Sequence, residues 1–435
     1  LTRLTFVQVL ISRINMPIPS SDHAPRLVAK RIRQALLLSG AFFAFPAFAL
    51  SYTEALSLAE RQNPALRAQQ ANVDGAVALQ VAAGSLPDPR LSVGIENLPT
   101  SGMDRWSPTR DFMTMQRIGL MQEVPNSAKR VAQADVAEAR AARERAMLVV
   151  QRLQVRQALG LAWVGARSVE QRRALLKDLV AENQRLQQTL PSRIAGGAAG
   201  AAELLMARQE ALSLADRLDD LQRDADKARS ALRRLIGPQA DEPLDGDVTL
   251  PQMEPDELRA KLHQHAELAP YPAMQAMTRA ELREAQAESR GDWAWEVAYS
   301  RRGRQWGDMV SFQLSFDLPW QKDRRQQPAI AAKQREAARV ESEREEAERR
   351  HRQELDEQLA ELQSLGNQIA RMQSEGLTLG RERLTLAMSS YQSGKSDLGA
   401  VLAARGQLLE LRLRLIDLQS QQTLLRVRLN SLAEE

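Results

Sequence analysis

Cysteine is absent from the 435 residues. That excludes disulfide scaffolds, thiolate metal sites, cysteine nucleophiles and a lipid anchor on an amino-terminal cysteine. Histidine occurs only at positions 23, 263, 265 and 351, too scattered for an ordinary zinc site. His263 and His265, two apart early in a helical stretch, read as exposed polar residues. Aromatic side chains make up only 4% of the chain. No segment beyond the first fifty residues approaches the roughly 18 consecutive apolar residues of a transmembrane helix. No nucleophile–base–acid set is recognisable, and Gly196-Gly197 falls between two helical stretches, where a phosphate-binding loop does not sit. The sequence therefore predicts neither an enzyme nor a bound cofactor, and no metal site.

The net charge of +4 invites a nucleic-acid reading until the charges are located. Residues 1–49 hold six of the 59 Lys and Arg and one of the 55 acids, which leaves the remainder at −1. The basicity belongs to the amino terminus. There Arg26, Lys30, Arg31 and Arg33 precede an apolar run at 35–45, then Pro46 and Ala47-Phe48-Ala49. This is the order of a secretory signal peptide, with cleavage expected after Ala49. Residues 1–24 lie upstream of it, and Met16 offers a natural start. An exported chain without an apolar helix is either soluble or a β-barrel, and no nucleic-acid partner is expected.

From Ser51 onward the chain reads twice through one plan, over 50–236 and 258–435, with a linker at 237–257. Ser51 and Glu54 form a capping box at the head of a helix expected to run past Pro64 to about residue 83. Arg90, Ser92 and Glu96 alternate with Leu91, Val93 and Ile95, the period of a half-buried strand. A second extended segment ends at Val124-Pro125, giving a strand pair over 90–124. A helical hairpin is then expected over 126–236. Its first arm has no proline between Pro125 and Pro191, and about 60 residues at 1.5 Å each make about 90 Å of helix. That length fits a coiled coil or a barrel stave. The turn at 195–200 reverses the chain, and Gly237-Pro238 ends the return helix.

The second copy opens with a helix from 258 to about 290 and a strand pair over 292–319. Trp293, Trp295, Val297 and Tyr299 share one face of the first strand. Val310, Phe312, Leu314, Phe316 and Leu318 share one face of the second. A hairpin over 328–435 follows, broken only at Ser393-Gly394. The two hairpin turns align at an offset of 197: Gly197 with Gly394, Leu204 with Val401, Leu205 with Leu402, Ala207 with Ala404 and Arg208 with Arg405.

Clean alternation over exported strands of this length fits an outer-membrane barrel. Four strands cannot close one, since about eight are needed; three copies of the chain supply twelve. Long helices with narrow Ala/Leu/Val seams and polar residues on every turn pack side by side into a wide, polar-lined tube. The fold class read here is thus mainly α with transmembrane β: coiled-coil hairpins forming an α-barrel, and four strands per protomer in a trimeric twelve-stranded β-barrel, with an internal two-fold repeat. A soluble pair of hairpins on a coiled coil, a periplasmic scaffold, is the competing reading; it leaves sheet edges exposed.

Tyr391-Gln392-Ser393-Gly394 followed by Val401-Leu402-Ala403-Ala404 is similar to the Y-x-x-G…V-L-x-A of the TolC-like outer membrane factors, and the resemblance covers the chain from Ser51 onward. Leu86-Pro87-Asp88-Pro89-Arg90, Gly94-Ile95-Glu96-Asn97-Leu98-Pro99 and Met121-Gln122-Glu123-Val124-Pro125-Asn126 resemble most the heavy-metal branch of that family, that of CzcC and CusC. The resemblance implies a homotrimer in outer-membrane lipid of a Gram-negative bacterium, extending into the periplasm. It also implies a periplasmic adaptor and an inner-membrane pump of the resistance-nodulation-division class. A passive exit duct for heavy-metal cations is the function it implies, with drugs, solvents or a secreted polypeptide as the alternative cargo.

The family often places aspartate rings after the second turn. Here Ala400 and Ala403 stand at those positions, and the nearest acids are Asp397 and Glu203. Three-fold symmetry would make each a ring of three carboxylates favouring cations; an acid at a helix start equally serves the helix dipole. Gly197 and Gly394 supply the turns, and Tyr391, Lys395 and Asp397 with Glu203 are the candidates for contacts that hold the duct's tip shut. Counting back from Pro125, Met113, Met115 and Met121 fall on the lumen-facing set of the second strand, where thioethers could touch Cu(I) or Ag(I) or simply fill gaps.

Overall fold

The computed structural model describes residues 49–250, 254–262 and 265–433. The export signal read over 1–49 lies outside them except for Ala49, as does His263. The chain from Ala49 forms one unit. Its first element, β1 (Leu50–Ser51), pairs in parallel with β4 (Leu244–Asp245), so the expected linker carries a strand that returns to the chain's start.

The capping box is present: Ser51 Oγ accepts from Glu54 N at 3.3 Å, and the Glu54 carboxylate accepts from Ser51 N at 3.0 Å. The helix it heads stops early. It divides into α1 (Tyr52–Gln62) and α2 (Pro64–Ala82), because Pro64 holds Asn63 extended at ψ 124°. Asn63 then caps α2 through Oδ1, 2.9 Å from Ala65 N.

β2 (Arg90–Glu96) and β3 (Met115–Val124) form the first strand pair. Asn126 then caps α3 (Ser127–Ala195), a helix of 69 residues and therefore about 104 Å. Asn126 N is held by Asp292 Oδ1 at 2.9 Å, so a residue of the second half fixes where the first long helix starts. The helix runs through Pro191, about one turn from its end and ahead of the expected turn at 195–200, and only the Gln187 carbonyl loses its helical donor.

α4 (Ala201–Ile236) returns and ends at Gly237, whose φ is +74°. In the second half, the continuous helix expected from 258 to 290 is replaced by α5 (Pro255–Lys261), a short 3₁₀ turn at Ala266–Leu268, and α6 (Pro270–Ala287). β5 (Trp293–Arg301) and β6 (Met309–Phe316) follow, and Leu318 lies beyond the ladder in which it was expected. α7 (Gln326–Arg371) starts ahead of Pro328, which its first turn accommodates. α7 continues through a π-helical segment at Met372–Gly376, a break that the sequence does not announce, into α8 (Leu377–Gln392). α9 (Leu398–Ala433) returns.

The strands make one antiparallel sheet in the order β2-β3-β5-β6, with the two halves joined at β3–β5. Its register puts Leu91, Leu120, Val297 and Phe312 in one row, and Val93, Ile118, Tyr299 and Val310 in the next. The opposite face carries rows such as Ser92, Gly119, Ala298 and Ser311.

α3 is faced along its length by α4 on one stretch and by α2 and α6 on another; α9 runs against α7 and α8. The widest core lies where α1, the middle of α3, the end of α4 and the β1–β4 pair meet. Trp163 is fully buried there, with the Tyr52 ring edge-on at 5.7 Å and its indole N–H donating to Gly246 O at 3.3 Å. Leu258, Leu262, Leu355, Leu418 and Leu425 form a second cluster between α5, α7 and α9.

Candidate functional site

Both hairpin turns are built by the same hydrogen bonds. In the first, Gly197 N donates to Ile194 O at 3.0 Å and Ala198 N to Arg193 O at 2.8 Å. In the second, Gly394 N donates to Tyr391 O at 3.0 Å and Lys395 N to Ser390 O at 2.9 Å. Every pair is displaced by the 197 residues found by aligning the sequence. Both glycines sit in the left-handed region, φ +73° and +70°, which a side chain would strain. The turns pack together: Leu190 and Ala207 of one hairpin are buried against Leu398 and Val401 of the other.

The candidate residues of these turns fall into two groups. Glu203 and Tyr391 meet, with the Tyr391 hydroxyl donating to Glu203 Oε2 across the hairpins. The other oxygen, Oε1, accepts from Gly200 N at 3.1 Å and so completes the start of α4. Burial, followed by the bond to Glu203, holds the Tyr391 phenol above its usual range. It therefore stays a donor at physiological pH. Arg193, which sequence reasoning passed over, lies 5.0 Å over the Tyr391 ring. No local pattern in the sequence links it to a tyrosine 198 positions away.

Asp397 and Lys395 are not drawn into this contact and are exposed. Asp397 Oδ1 accepts from Ala400 N at 3.0 Å and so caps α9, the local role that the sequence left open for it. Behind the tip, Arg217–Glu410 at 2.7 Å, Arg405–Glu182 at 3.7 Å and Arg172–Asp417 tie the hairpins together. Buried Asn183 donates to Ala207 O at 3.1 Å and fastens α3 to α4.

On the sheet, Met115 and Met121 lie in the rows of the polar face, but Met113 sits in the loop before β3 and belongs to neither face. Six residues along one strand put Met115 and Met121 about 20 Å apart, too far to share an ion. Between them Arg117 donates to Glu96 Oε1 at 2.9 Å and to Glu296 Oε1 at 2.8 Å, an ion network across β2, β3 and β5. The other face is exposed: Val93 keeps 76% and Phe312 80% of their surface. Among the described residues, no helix is long and apolar enough to cross a membrane.

His265 departs from expectation. It is buried, not exposed, and its ring lies 4.7 Å from that of His351, which α7 brings from 86 positions away. Spacing along a sequence does not register such a meeting. Burial, followed by the neighbouring His351, pushes the His265 imidazole below its usual value.

No protein-family model matches the sequence, and no curated protein matches it. Solved structures do match in fold. A membrane protein from Pseudomonas aeruginosa has a TM-score of 0.74 at 17% identity over 88% of this chain and 90% of its own. The outer membrane protein VceC of Vibrio cholerae has 0.73 at 18% over 88% and 96%. CusC, whose structures describe transmembrane channel formation, has 0.71 at 16% over 88% and 92%. The chain has the fold of these membrane proteins: mostly helical, with a small sheet.

Proposed function

We propose that this chain is one protomer of a TolC-like, trimeric outer-membrane exit duct. The observation that carries the proposal is the apolar face running across all four strands while remaining exposed. Water does not tolerate so broad a patch on a sheet, whereas lipid requires one. The free edges support the trimer. With the order β2-β3-β5-β6 and every pair antiparallel, β6 of one copy runs opposite to β2 of the next. Three sheets thus close into twelve strands with correct alternation, and no edge remains. The outgoing helices, α3 and the run from α7 through α8, about 100 Å each, then extend from the barrel into the periplasm with their shorter return helices. Their tips, near 191–200 and 389–397, form the aperture, with the Glu203–Tyr391 contact as the latch and an adaptor and inner-membrane pump as partners.

Heavy-metal cations are the cargo this reading favours. The support is the likeness of the 86–90, 94–99 and 121–126 motifs to the heavy-metal branch, together with the acids Glu203 and Asp397 at the tip. Weak, repeated carboxylate contacts suit passage better than a tight site. The energy for export comes from the pump, because the duct only conducts.

Two experiments test the proposal. The sequence has no cysteine, so one cysteine placed in β2 and one in β6 form disulfides only between copies; covalent trimers in membranes are expected, and recovery as a detergent-free soluble monomer refutes the barrel. Deletion of the gene should raise sensitivity to copper, silver, zinc, cobalt or cadmium but not to a dye panel, and the reverse pattern reassigns the cargo.

A further inference from the structure

A second site lies away from the duct's tip. His265 stands just before the 3₁₀ turn that carries Glu267, and His351 and Glu354 share a face of α7 at i, i+3. Both histidines are 3% exposed, with ring centroids 4.7 Å apart. Glu267 Oε2 lies 3.1 Å from His351 Nε2, and Glu354 Oε2 lies 3.3 Å from its Nδ1. Neither approach has the alignment of a hydrogen bond: both His351 nitrogens, and Nδ1 of His265, are buried without a hydrogen-bond partner. His265 also makes a backbone hydrogen bond to Ser431 of α9. One donor atom from each of His265, Glu267 and His351 falls within 4.8 Å of the others.

We infer that His265, Glu267 and His351 form a binding site for a divalent transition-metal ion of the zinc or cobalt class. Two buried imidazoles facing each other with unused nitrogens are an unfavourable arrangement unless something accepts their lone pairs. A carboxylate at the same point makes the set anionic. Ligands of a tetrahedral zinc ion, with bonds of about 2.1 Å, stand about 3.4 Å apart, so a contraction of roughly an ångström closes the shell. Water completes it, and Glu354, on the Nδ1 side of His351, orients that ring from outside the shell. The backbone bond from His265 fixes that ring in the manner usual for a metal-bound histidine. Two nitrogens with one oxygen select zinc, cobalt, nickel or copper(II); magnesium and calcium need all-oxygen shells, and copper(I) or silver needs sulfur.

Forty residues of helix separate His351 from Tyr391, about 60 Å, so this is not the aperture. The ion would clip the segment around the 3₁₀ turn onto α7 and the end of α9. The assignment holds whichever cargo the duct carries, and whether or not the barrel reading stands.

The test uses the purified full-length protein in detergent, stripped with a chelator and titrated with Zn²⁺, with Co²⁺ as a spectroscopic probe and Mg²⁺ as a control. One Zn²⁺ per chain at micromolar affinity or better is expected, with visible ligand-field bands from Co²⁺ and a raised melting temperature. Glu267→Gln, at an exposed position, should weaken binding at least tenfold without changing the melting of the stripped protein. His265→Gln combined with His351→Gln should abolish uptake, with circular dichroism confirming the helices. Absence of stoichiometric uptake overturns the assignment. So does uptake unchanged in Glu267→Gln, or equal affinity for Mg²⁺.

Discussion

Tyr391→Phe isolates the latch, because it removes one oxygen and leaves everything else in place. The ring keeps its burial and its place beneath Arg193, a cation–π contact of about 0.5–1 kcal/mol. Glu203 keeps its bond to Gly200 N, so the start of α4 survives. What is lost is the hydroxyl's bond to the Glu203 carboxylate. Hydrogen bonds to charged groups contribute about 1.5–3 kcal/mol. Both partners here are only half-buried, and water takes the vacated place on Glu203, so the lower end, about 1.5 kcal/mol, applies. That is roughly tenfold in a closed-to-open ratio. In the proposed trimer, three latches releasing independently each shift by that factor. A tip that opens only as a unit sums them to about 4.5 kcal/mol, roughly a thousandfold. Single-channel conductance in planar bilayers reads the difference directly, with the wild type closed most of the time and the variant open about ten or about a thousand times more. A folded Tyr391→Phe channel with unchanged open probability refutes the latch.

The same contact gives a pH dependence: the native phenol is held above its ordinary value near 10, so its contribution is complete below pH 10 and falls as pH rises through the native pKa. Wild-type conductance should rise only in that alkaline range, and that of Tyr391→Phe should show no such step. Phe312→Lys places a charge on the exposed apolar face and should cost about 2–4 kcal/mol in lipid, abolishing membrane assembly, whereas Ser311→Lys on the opposite face should assemble; equal recovery of both argues for a water-facing sheet. Gly160→Ala would set a Cβ 2.7 Å from Val427 Cγ1, an overpacking cost of roughly 1–3 kcal/mol that outweighs the ~1 kcal/mol gained in helix propensity. Gly75→Ala meets nothing within 4 Å and should gain up to that ~1 kcal/mol, so opposite shifts in melting temperature are expected. Asn183→Ala removes the buried side-chain donor to Ala207 O and leaves only the longer approach of Gln187 Nε2 at 3.5 Å; it should cost about 0.5–1.5 kcal/mol, read by thermal melting.

Strand position was legible from two signals: the period of two places the start of β2 at Arg90, and the proline after Val124 places the end of β3. The return helix was legible because Gly237 ends it with a positive φ. Prolines act unevenly. Pro64 divides a helix whose apolar spacing runs straight through it, because the residue before proline is forced out of the helical region. Pro191 leaves its helix intact, about one turn from the end, at the loss of a single carbonyl's donor. The π segment at Met372–Gly376 interrupts a run of good helix formers, and the sequence pattern carries no sign of it. The histidine pair was equally invisible: it is made by the fold, between a 3₁₀ turn and a helix that the sequence separates.

The hairpin turns show most clearly what an aligned pair of segments does and does not determine. An offset of 197 predicts the same turn twice, and the backbone obliges with the same hydrogen bonds and the same left-handed glycines. The side chains then diverge. At the head of α4 the cap is Gly200, which has no side chain to offer, so Glu203 reaches back with one oxygen and has the other free for Tyr391. At the head of α9 the cap is Asp397, which satisfies the helix by itself, and the residue aligned with Glu203 is Ala400. The residue aligned with Tyr391 is Ile194, which has no hydroxyl. One acid and one phenol, each present in only one copy, therefore make a single contact per chain, always from the second hairpin to the first. In the proposed duct, an acid and a phenol in both segments would set two latches between each pair of hairpins and double the cost of opening; the single contact per chain would leave the tip easier to open, while the two glycines keep its shape.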